Sequence, residues 1–154
     1  MLREIDAQRK RLDTMFDRAN DLPEDPEIKA HWAKYLCVLV CGFLENSVEL
    51  CLFEYCKQRS NIQIQNYVRS QLYRFQNPKM EEIIRLFGAF DPEWQGRLEI
   101  ECEGELSDAV NSIVGNRHSI AHGGSVSLTI GGLHKYYQKA LKVVDVLHRV
   151  CSIA

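Results

Sequence analysis

The sequence has 154 residues, of which 45% are hydrophobic and 26% are charged, and its formal net charge is −2. These values predict one globular domain over residues 1–154 with a core of useful size. The near-neutral charge argues against a large surface that coats nucleic acid, but it is compatible with a small basic cleft. The N-terminus lacks the features of a secretory signal, and the longest apolar stretch, Tyr35 to Leu44, is shorter than the roughly 20 residues that span a bilayer. We therefore expect a cytoplasmic protein with no membrane partner.

The six cysteines include no C-x-x-C pair, and no second Cys/His pair has zinc spacing. Cys37 and Cys41 are four residues apart and share a helical face. We interpret the cysteines as small buried hydrophobic residues in a reducing compartment, and we expect neither a metal nor another cofactor.

Turn residues divide the chain into helices. Hydrophobic spacing predicts a first helix over residues 2–19. Asp25 is a good N-cap and Pro26 suits the first helical position, so a long helix should run from there to about Arg59, with Gly42 as a place for a bend. This helix is apolar on most sides over its middle, which predicts a central, buried position.

Later helices are also marked by caps and glycines. No pair of alternating strands is present, so the fold class predicted is all-α, a helical bundle with a long central helix and antiparallel neighbours. The segment SVSLTIGG is β-prone but short, and it is expected to form a loop. The remaining helices are predicted to begin near Asn61, at Asn77-Pro78 (ending at Gly88), at Asp91-Pro92, at Ser107 (ending near His122, before Gly123-Gly124) and at Leu133 (ending at Val150).

The segment GNRHSIAHGG gathers five polar side chains at a helix end: Asn116, Arg117, His118, Ser119 and His122. His118 and His122 share a helical face, and Arg117 lies roughly 140° from His122 around the helix. Histidine exchanges protons near neutral pH, and arginine grips phosphate with two parallel hydrogen bonds. RNA cleavage needs a proton taken from the ribose 2′-OH and charge stabilised on the transition state, and these side chains supply both without metal.

The same residues carry a resemblance to a known family. Arg117 to His122 is an R-x4-H motif with a polar residue directly after the arginine, and the ending IAHG is similar to that of the RiboL-PSP and related prokaryotic HEPN groups. The resemblance implies a metal-independent endoribonuclease that acts as a homodimer on RNA, with the two motifs meeting in one composite cleft. It also implies a toxin or antiviral defence role, with an antitoxin or another defence protein as a partner.

Residue by residue, the resemblance implies that Arg117 holds the scissile phosphate and that His122 is the acid/base. His118 takes the accessory polar position, with Asn116 and Ser119 as further supporting residues. Family members also carry a polar residue in an earlier helix that faces the motif. Glu45 and Asn46 are the two candidates, and the sequence does not decide between them.

Other interpretations stand beside the enzyme. A non-catalytic HEPN-like module would use the same motif to bind a nucleotide or a partner protein. His118 and His122 have a spacing that zinc can use, but no third ligand is evident. The stretch from Tyr67 to Phe75 interleaves basic and aromatic residues, which is typical either of base stacking or of an ordinary amphipathic helix.

Overall fold

The computed structural model describes residues 2–153, which contain helices and no strand. The all-α prediction is confirmed for this part of the chain, and the two terminal residues of the predicted 1–154 domain lie outside it. A single 3₁₀ turn, Ala19–Asp21, follows the first helix. The α-helices of the described range are α1 (Arg3–Arg18), α2 (Pro26–Arg59), α3 (Ile62–Leu72), α4 (Met80–Phe90), α5 (Pro92–Glu101), α6 (Glu105–Ala121) and α7 (Ile130–Ile153).

Three helices begin at the caps that the sequence predicts. The side-chain oxygens of Asp25, Asn61 and Asp91 accept hydrogen bonds from backbone N–H groups in the first turns of α2, α3 and α5. Pro26 follows Asp25 as the first residue of α2. Each cap satisfies N–H groups that have no partner inside the helix, which fixes where these helices start.

The start of α4 differs from the prediction. The helix begins at Met80 and not at Asn77-Pro78, because Asn77 adopts a left-handed conformation with a φ of 51° that helix cannot include. The backbone N–H of Lys79 donates to Glu82 Oε2 at 2.9 Å, which closes the first turn. Lys79 is therefore the N-cap of α4, and Asn77 does not cap the helix.

The predicted end of α4 at Gly88 is also wrong. The helix runs through Gly88 to Phe90. A Cβ atom at Gly88 would lie 3.0 Å from Gln95 Cβ and closer still to the end of that side chain. The glycine therefore allows α5 to pack closely on α4, and it does not terminate the helix.

Two further helices begin earlier than predicted. Helix α6 starts at Glu105 instead of Ser107, after Gly104 in a positive-φ conformation. Helix α7 starts at Ile130 instead of Leu133, because Thr129 Oγ1 accepts the N–H of Gly132 at 3.0 Å. The loop predicted for SVSLTIGG is thus limited to its first part, and its glycines form the first turn of α7.

Helix α2 is the central element, as the sequence predicts. It packs against α1, α3, α6 and α7 and continues as a helix through Gly42. The Cys37 thiol donates to the carbonyl of Ile113 at 3.6 Å, which brings α6 against the N-terminal half of α2. On the other side, the Tyr137 hydroxyl of α7 donates to Asp13 of α1 at 2.9 Å. The first contact holds the middle of α6 beside the long helix, and the second joins α7 to α1.

One stretch of α2 is long and apolar enough to cross a bilayer by composition, with a mean hydropathy of 1.8. The sequence analysis considered only the apolar stretch from Tyr35 to Leu44, which is too short to span a bilayer, and it therefore did not predict this property of α2. The structure gives the physical reason for the composition, because α2 is surrounded by four helices and buries residues on most of its sides. A buried core helix of this kind has the same length and apolar composition as a helix that spans a membrane.

Candidate functional site

The motif-bearing helix α6 ends in a glycine-dependent turn. Gly123 has a φ of 70°, its N–H donates to Ile120 O at 3.2 Å, and the N–H of Gly124 donates to Ser119 O at 2.7 Å. This pair of hydrogen bonds is the Schellman motif, and it makes His122 the last residue of the helical end. The two glycines therefore fix the backbone of His122.

The two histidines of the motif lie together on the surface. The ring centroids of His118 and His122 are 4.4 Å apart, with the planes inclined at 53°. Both side chains are exposed, and neither pairs with a carboxylate within residues 2–153. Two imidazoles in contact with solvent can reach a substrate that approaches the end of α6.

Arg117 lies on the inner side of α6 and is half-buried. The pKa of the Cys41 thiol on α2 is raised to about 12, chiefly by burial and also by the Glu45 carboxylate, while the Arg117 guanidinium lowers it. Arg117 and Glu45 thus act on one thiol from two helices. They are not an ion pair, and across residues 2–153 no carboxylate lies within salt-bridge distance of Arg117.

The structure separates the two candidates for the facing polar residue. Glu45 is half-buried, and its Oε1 accepts the backbone N–H of Asn77 at 2.5 Å. Asn46 is exposed and lines a groove between α1 and α2 with Arg11 and Met15. Of the two, Glu45 is therefore the one on the same side of α2 as the motif.

The other two supporting residues have local structural contacts. Asn116 Nδ2 donates to the carbonyl of Ser112 at 2.8 Å, one turn earlier in α6. The backbone of Ser119 accepts the Gly124 N–H, and a Cβ at Gly124 would lie 3.1 Å from that same oxygen. Ser119 thus helps to close the helix end through its main chain, a role that the sequence alone did not predict.

Two asparagines near the site were missed by the sequence analysis. Asn111 Oδ1 of α6 accepts the N–H of Met80 at 2.9 Å, which ties the start of α4 to the motif helix. Asn77 Oδ1 is buried and has no hydrogen-bond partner within residues 2–153. An available signal was the polar Asn111 between buried Val110 and Ile113, since a polar residue on an apolar helical face usually has a partner.

The described residues contain a cleft near the motif and no cluster of metal-binding side chains. In the described range, no group of three His, Cys, Asp or Glu side chains is placed to hold a metal ion. All six cysteines are buried and free, which confirms the prediction of buried thiols. A cleft of about 570 Å³ opens beside the loop after the motif, between Leu128–Gly131 and the facing residues of α1 and α2, and it does not include Arg117 or His122.

The protein is therefore an all-α bundle, and its sixth helix carries the R-x4-H sequence at an end that two glycines terminate. The family model of RiboL-PSP-HEPN matches residues 3–152, nearly the whole chain. The protein therefore belongs to the RiboL-PSP-HEPN family, and the predicted resemblance is confirmed. In comparisons with curated proteins and with solved structures, nothing matches this chain. The family suggests an RNase-like nuclease or a nucleotide-binding helical module.

Proposed function

We propose that this protein is a metal-independent endoribonuclease in which Arg117 holds the scissile phosphate and His122 transfers the proton. The observation that carries the proposal is the half-buried residue Arg117, whose guanidinium has no carboxylate partner in residues 2–153. A partly buried cation without a counter-ion is unfavourable, and a guanidinium matches a phosphate with two parallel hydrogen bonds. A phosphate of the RNA backbone supplies the missing anion.

The proposed reaction is an internal transesterification. A base removes the proton from the ribose 2′-OH, and the oxygen attacks the neighbouring phosphorus. The bond to the 5′-oxygen breaks, and that oxygen takes a proton from an acid, leaving a 2′,3′-cyclic phosphate and a 5′-OH. His122 transfers a proton, and His118, whose ring centre lies 4.4 Å from that of His122, is the accessory group. Arg117 stabilises the negative charge of the transition state.

We further propose that two copies of the chain form the working enzyme. Arg117 is half-buried and its charge acts on Cys41 of α2, while His118 and His122 are exposed, and we infer that a second copy completes the surroundings of a bound phosphate. The outer face of α2 supports this dimer, since Tyr35 and Val38 are exposed there and Trp32 Nε1 is buried without a hydrogen-bond acceptor in the described range. Exposed apolar residues on one face of a helix are typical of protein interfaces.

The cellular role that we propose follows from the family resemblance. The enzyme would act in the cytoplasm as a toxin or an antiviral defence effector, held in check by an antitoxin or another partner protein. Toxicity on expression that His122→Ala relieves would support this role, whereas equal toxicity of both proteins would argue against it.

The decisive test is RNA cleavage in EDTA by purified wild type, Arg117→Ala and His122→Ala, with total RNA and tRNA as substrates. We expect each variant to be slower by at least about 10²-fold, because each removes a group that acts in the transition state. The exposed His31 of α2 provides a matched control, and His31→Ala should cleave like wild type. Wild-type rates in both motif variants would exclude this site.

A second function is favoured by the same arginine. A half-buried guanidinium can hold the phosphate of a nucleotide without any proton transfer, which describes a non-catalytic binding module. In that case, wild type would bind a nucleotide or a partner protein without RNA turnover. Binding would survive His122→Ala more readily than Arg117→Ala, and calorimetry with both variants would distinguish the two functions.

A further inference from the structure

Charge is unevenly distributed along the chain. Residues 55–80 contain five basic residues and no acidic residue, and of these five Lys57 pairs with Glu54 at 3.7 Å, whereas the whole chain has a net charge of −2. This segment includes α3, the turn after it and the start of α4. Such a local excess of positive charge in a slightly acidic protein attracts an anionic partner.

The outer face of α3 combines this charge with exposed aromatic rings. Tyr67, Gln71 and Arg74 are spaced by four and three residues, so they lie on one side of the helix and of the turn that continues it. All three are exposed, with 65% of Tyr67 accessible, and the neighbouring Tyr73 is 76% exposed. We name residues 67–74 the α3 surface.

The arginines of the α3 surface are not neutralised by the protein. The Arg69 guanidinium lies 4.2 Å from the centre of the Phe53 ring, which holds it in place on α2. Neither Arg69 nor Arg74 forms a salt bridge with any carboxylate in residues 2–153. Both charges are therefore available to a ligand.

The α3 surface leads toward the motif. Three residues after Arg74, the backbone of Asn77 binds Glu45 of α2, and Met80 binds Asn111 of α6. Three residues of chain span at most about 11 Å. A ligand that lies along the α3 surface therefore ends within about 11 Å, measured along the chain, of the Asn77–Glu45 contact on α2, and the Met80–Asn111 contact with the motif-bearing helix α6 follows three residues later.

We propose that the α3 surface binds unpaired nucleotides of the RNA substrate and directs the strand to Arg117 and His122. Exposed tyrosines provide stacking platforms for bases, free arginines contact the backbone, and exposed amides such as Gln71 can contact base edges. A run of 26 residues without a carboxylate favours a polyanion over a protein partner. The identity of the ligand as RNA rests on the proposed function, but binding is measured separately from cleavage.

The test uses a fluorescently labelled, 2′-O-methylated single-stranded RNA of about 12 nucleotides, a length that one small binding surface can cover. This probe cannot undergo the proposed reaction, so the full-length protein is used with its motif intact. Anisotropy is recorded for wild type, Tyr67→Ala/Tyr73→Ala and Arg74→Gln. The matched controls are Ile100→Ala, which removes a 74% exposed apolar side chain on α5, and Arg3→Gln, an exposed arginine on α1.

We expect the double tyrosine variant to weaken binding by at least about tenfold, and both controls to bind like wild type. Arg74→Gln should lower the slope of log affinity against log salt by about 0.7, as expected for one phosphate contact on a single strand. A duplex of the same sequence should bind with no dependence on Tyr67 and Tyr73, because its bases are not free to stack.

Unchanged affinity in the double tyrosine variant would overturn the proposal, as would an equal loss of affinity in Ile100→Ala. Failure of the proposed enzymatic function gives a different result. In that case no RNA is cut by wild type, while binding still depends on Tyr67, Tyr73 and Arg74.

Discussion

The Glu45 carboxylate of α2 accepts the backbone N–H of Asn77 at 2.5 Å, although the two residues are 32 positions apart in the chain. Asn77 has a left-handed backbone conformation, so this hydrogen bond supports a turn that is otherwise unfavourable. The bond also holds the chain against α2 three residues after the α3 surface ends. The Glu45 carboxylate thus connects the long helix to the turn before α4, and it acts on the same Cys41 thiol as Arg117.

We predict that Glu45→Ala lowers the free energy of unfolding by about 1–3 kcal/mol, the cost of leaving a partly buried N–H without its charged acceptor. Glu45→Gln retains an acceptor oxygen and should lose clearly less. Urea denaturation followed by circular dichroism measures both values. Asn46→Ala, which changes the exposed neighbour, serves as the control and should leave stability within about 0.5 kcal/mol of wild type. Equal losses at the two positions would contradict this role of Glu45.

A second prediction concerns the glycines that end α6. Gly123 has a φ of 70°, so Gly123→Ala should destabilise the protein by about 1–2 kcal/mol. The same change moves His122, whose backbone depends on this turn, and we expect RNA cleavage to fall more than stability alone explains. Thermal unfolding and cleavage at a temperature where the variant is fully folded separate the two effects.

Gly96 supplies the matched control for that experiment. It lies inside α5, and a Cβ atom there would meet nothing within 4 Å. Gly96→Ala should therefore stabilise the protein by up to about 1 kcal/mol, through the higher helix propensity of alanine, without changing cleavage. If Gly123→Ala behaved like Gly96→Ala, the turn after His122 would not be what fixes the site.

The sequence predicts most of the helices and the position of the motif, because these depend on local chemistry. Asp25, Asn61 and Asp91 are caps whose oxygen atoms find their N–H partners within three residues. Gly88 illustrates the limit, since its role depends on Gln95 of the next helix and not on its own backbone.

The candidate site shows the same division between local and long-range information. Gly123 and the R-x4-H spacing are local features, and the sequence locates them. The choice of Glu45 over Asn46 needed the Asn77 contact, which joins distant parts of the chain. Likewise, the half-burial of Arg117 depends on how α6 packs on α2, which hydrophobic spacing does not determine.

A third prediction concerns alkaline pH. Burial raises the pKa of the Cys37 and Cys102 thiols from 9.0 to about 11, and that of the Cys41 and Cys51 thiols to about 12. Above about pH 9 these thiols ionise in the unfolded chain while they remain protonated in the folded protein. Their contribution to stability is therefore complete below that pH and is lost as the pH rises toward 11–12.

The expected loss has a slope of up to about 1.4 kcal/mol per pH unit for each thiol. Urea midpoints measured with reductant from neutral pH to about pH 10.5 give the slope. Cys102→Ala removes one of these thiols, so it should reduce the dependence of the unfolding free energy on pH by the contribution of a single thiol. This holds whatever the effect of the substitution on stability at neutral pH. Stability that is constant above pH 9 would show that these thiols are not protected from solvent in the folded protein.

The last prediction tests the dimer. If Arg117 of one copy and His122 of the other act on the same phosphate, a mixed dimer of Arg117→Ala and His122→Ala chains keeps one complete pair. Mixing the two inactive proteins under conditions that exchange subunits should then restore cleavage, to roughly 10²-fold above either protein alone, because general acid–base catalysis contributes at least that factor. Native mass spectrometry of chains with different tags measures how much mixed dimer has formed.

Each inactive protein mixed with a differently tagged copy of itself is the control, and it should stay inactive. A third mixture, wild type with the Arg117→Ala/His122→Ala double variant, shows whether a single intact chain suffices in a mixed dimer. Cleavage by that mixed dimer, beyond the activity of the remaining wild-type homodimer and without recovery in the first mixture, would mean that Arg117 and His122 of the same chain act together. Recovery in the first mixture requires that they act across the interface, because no chain in that mixture carries both side chains.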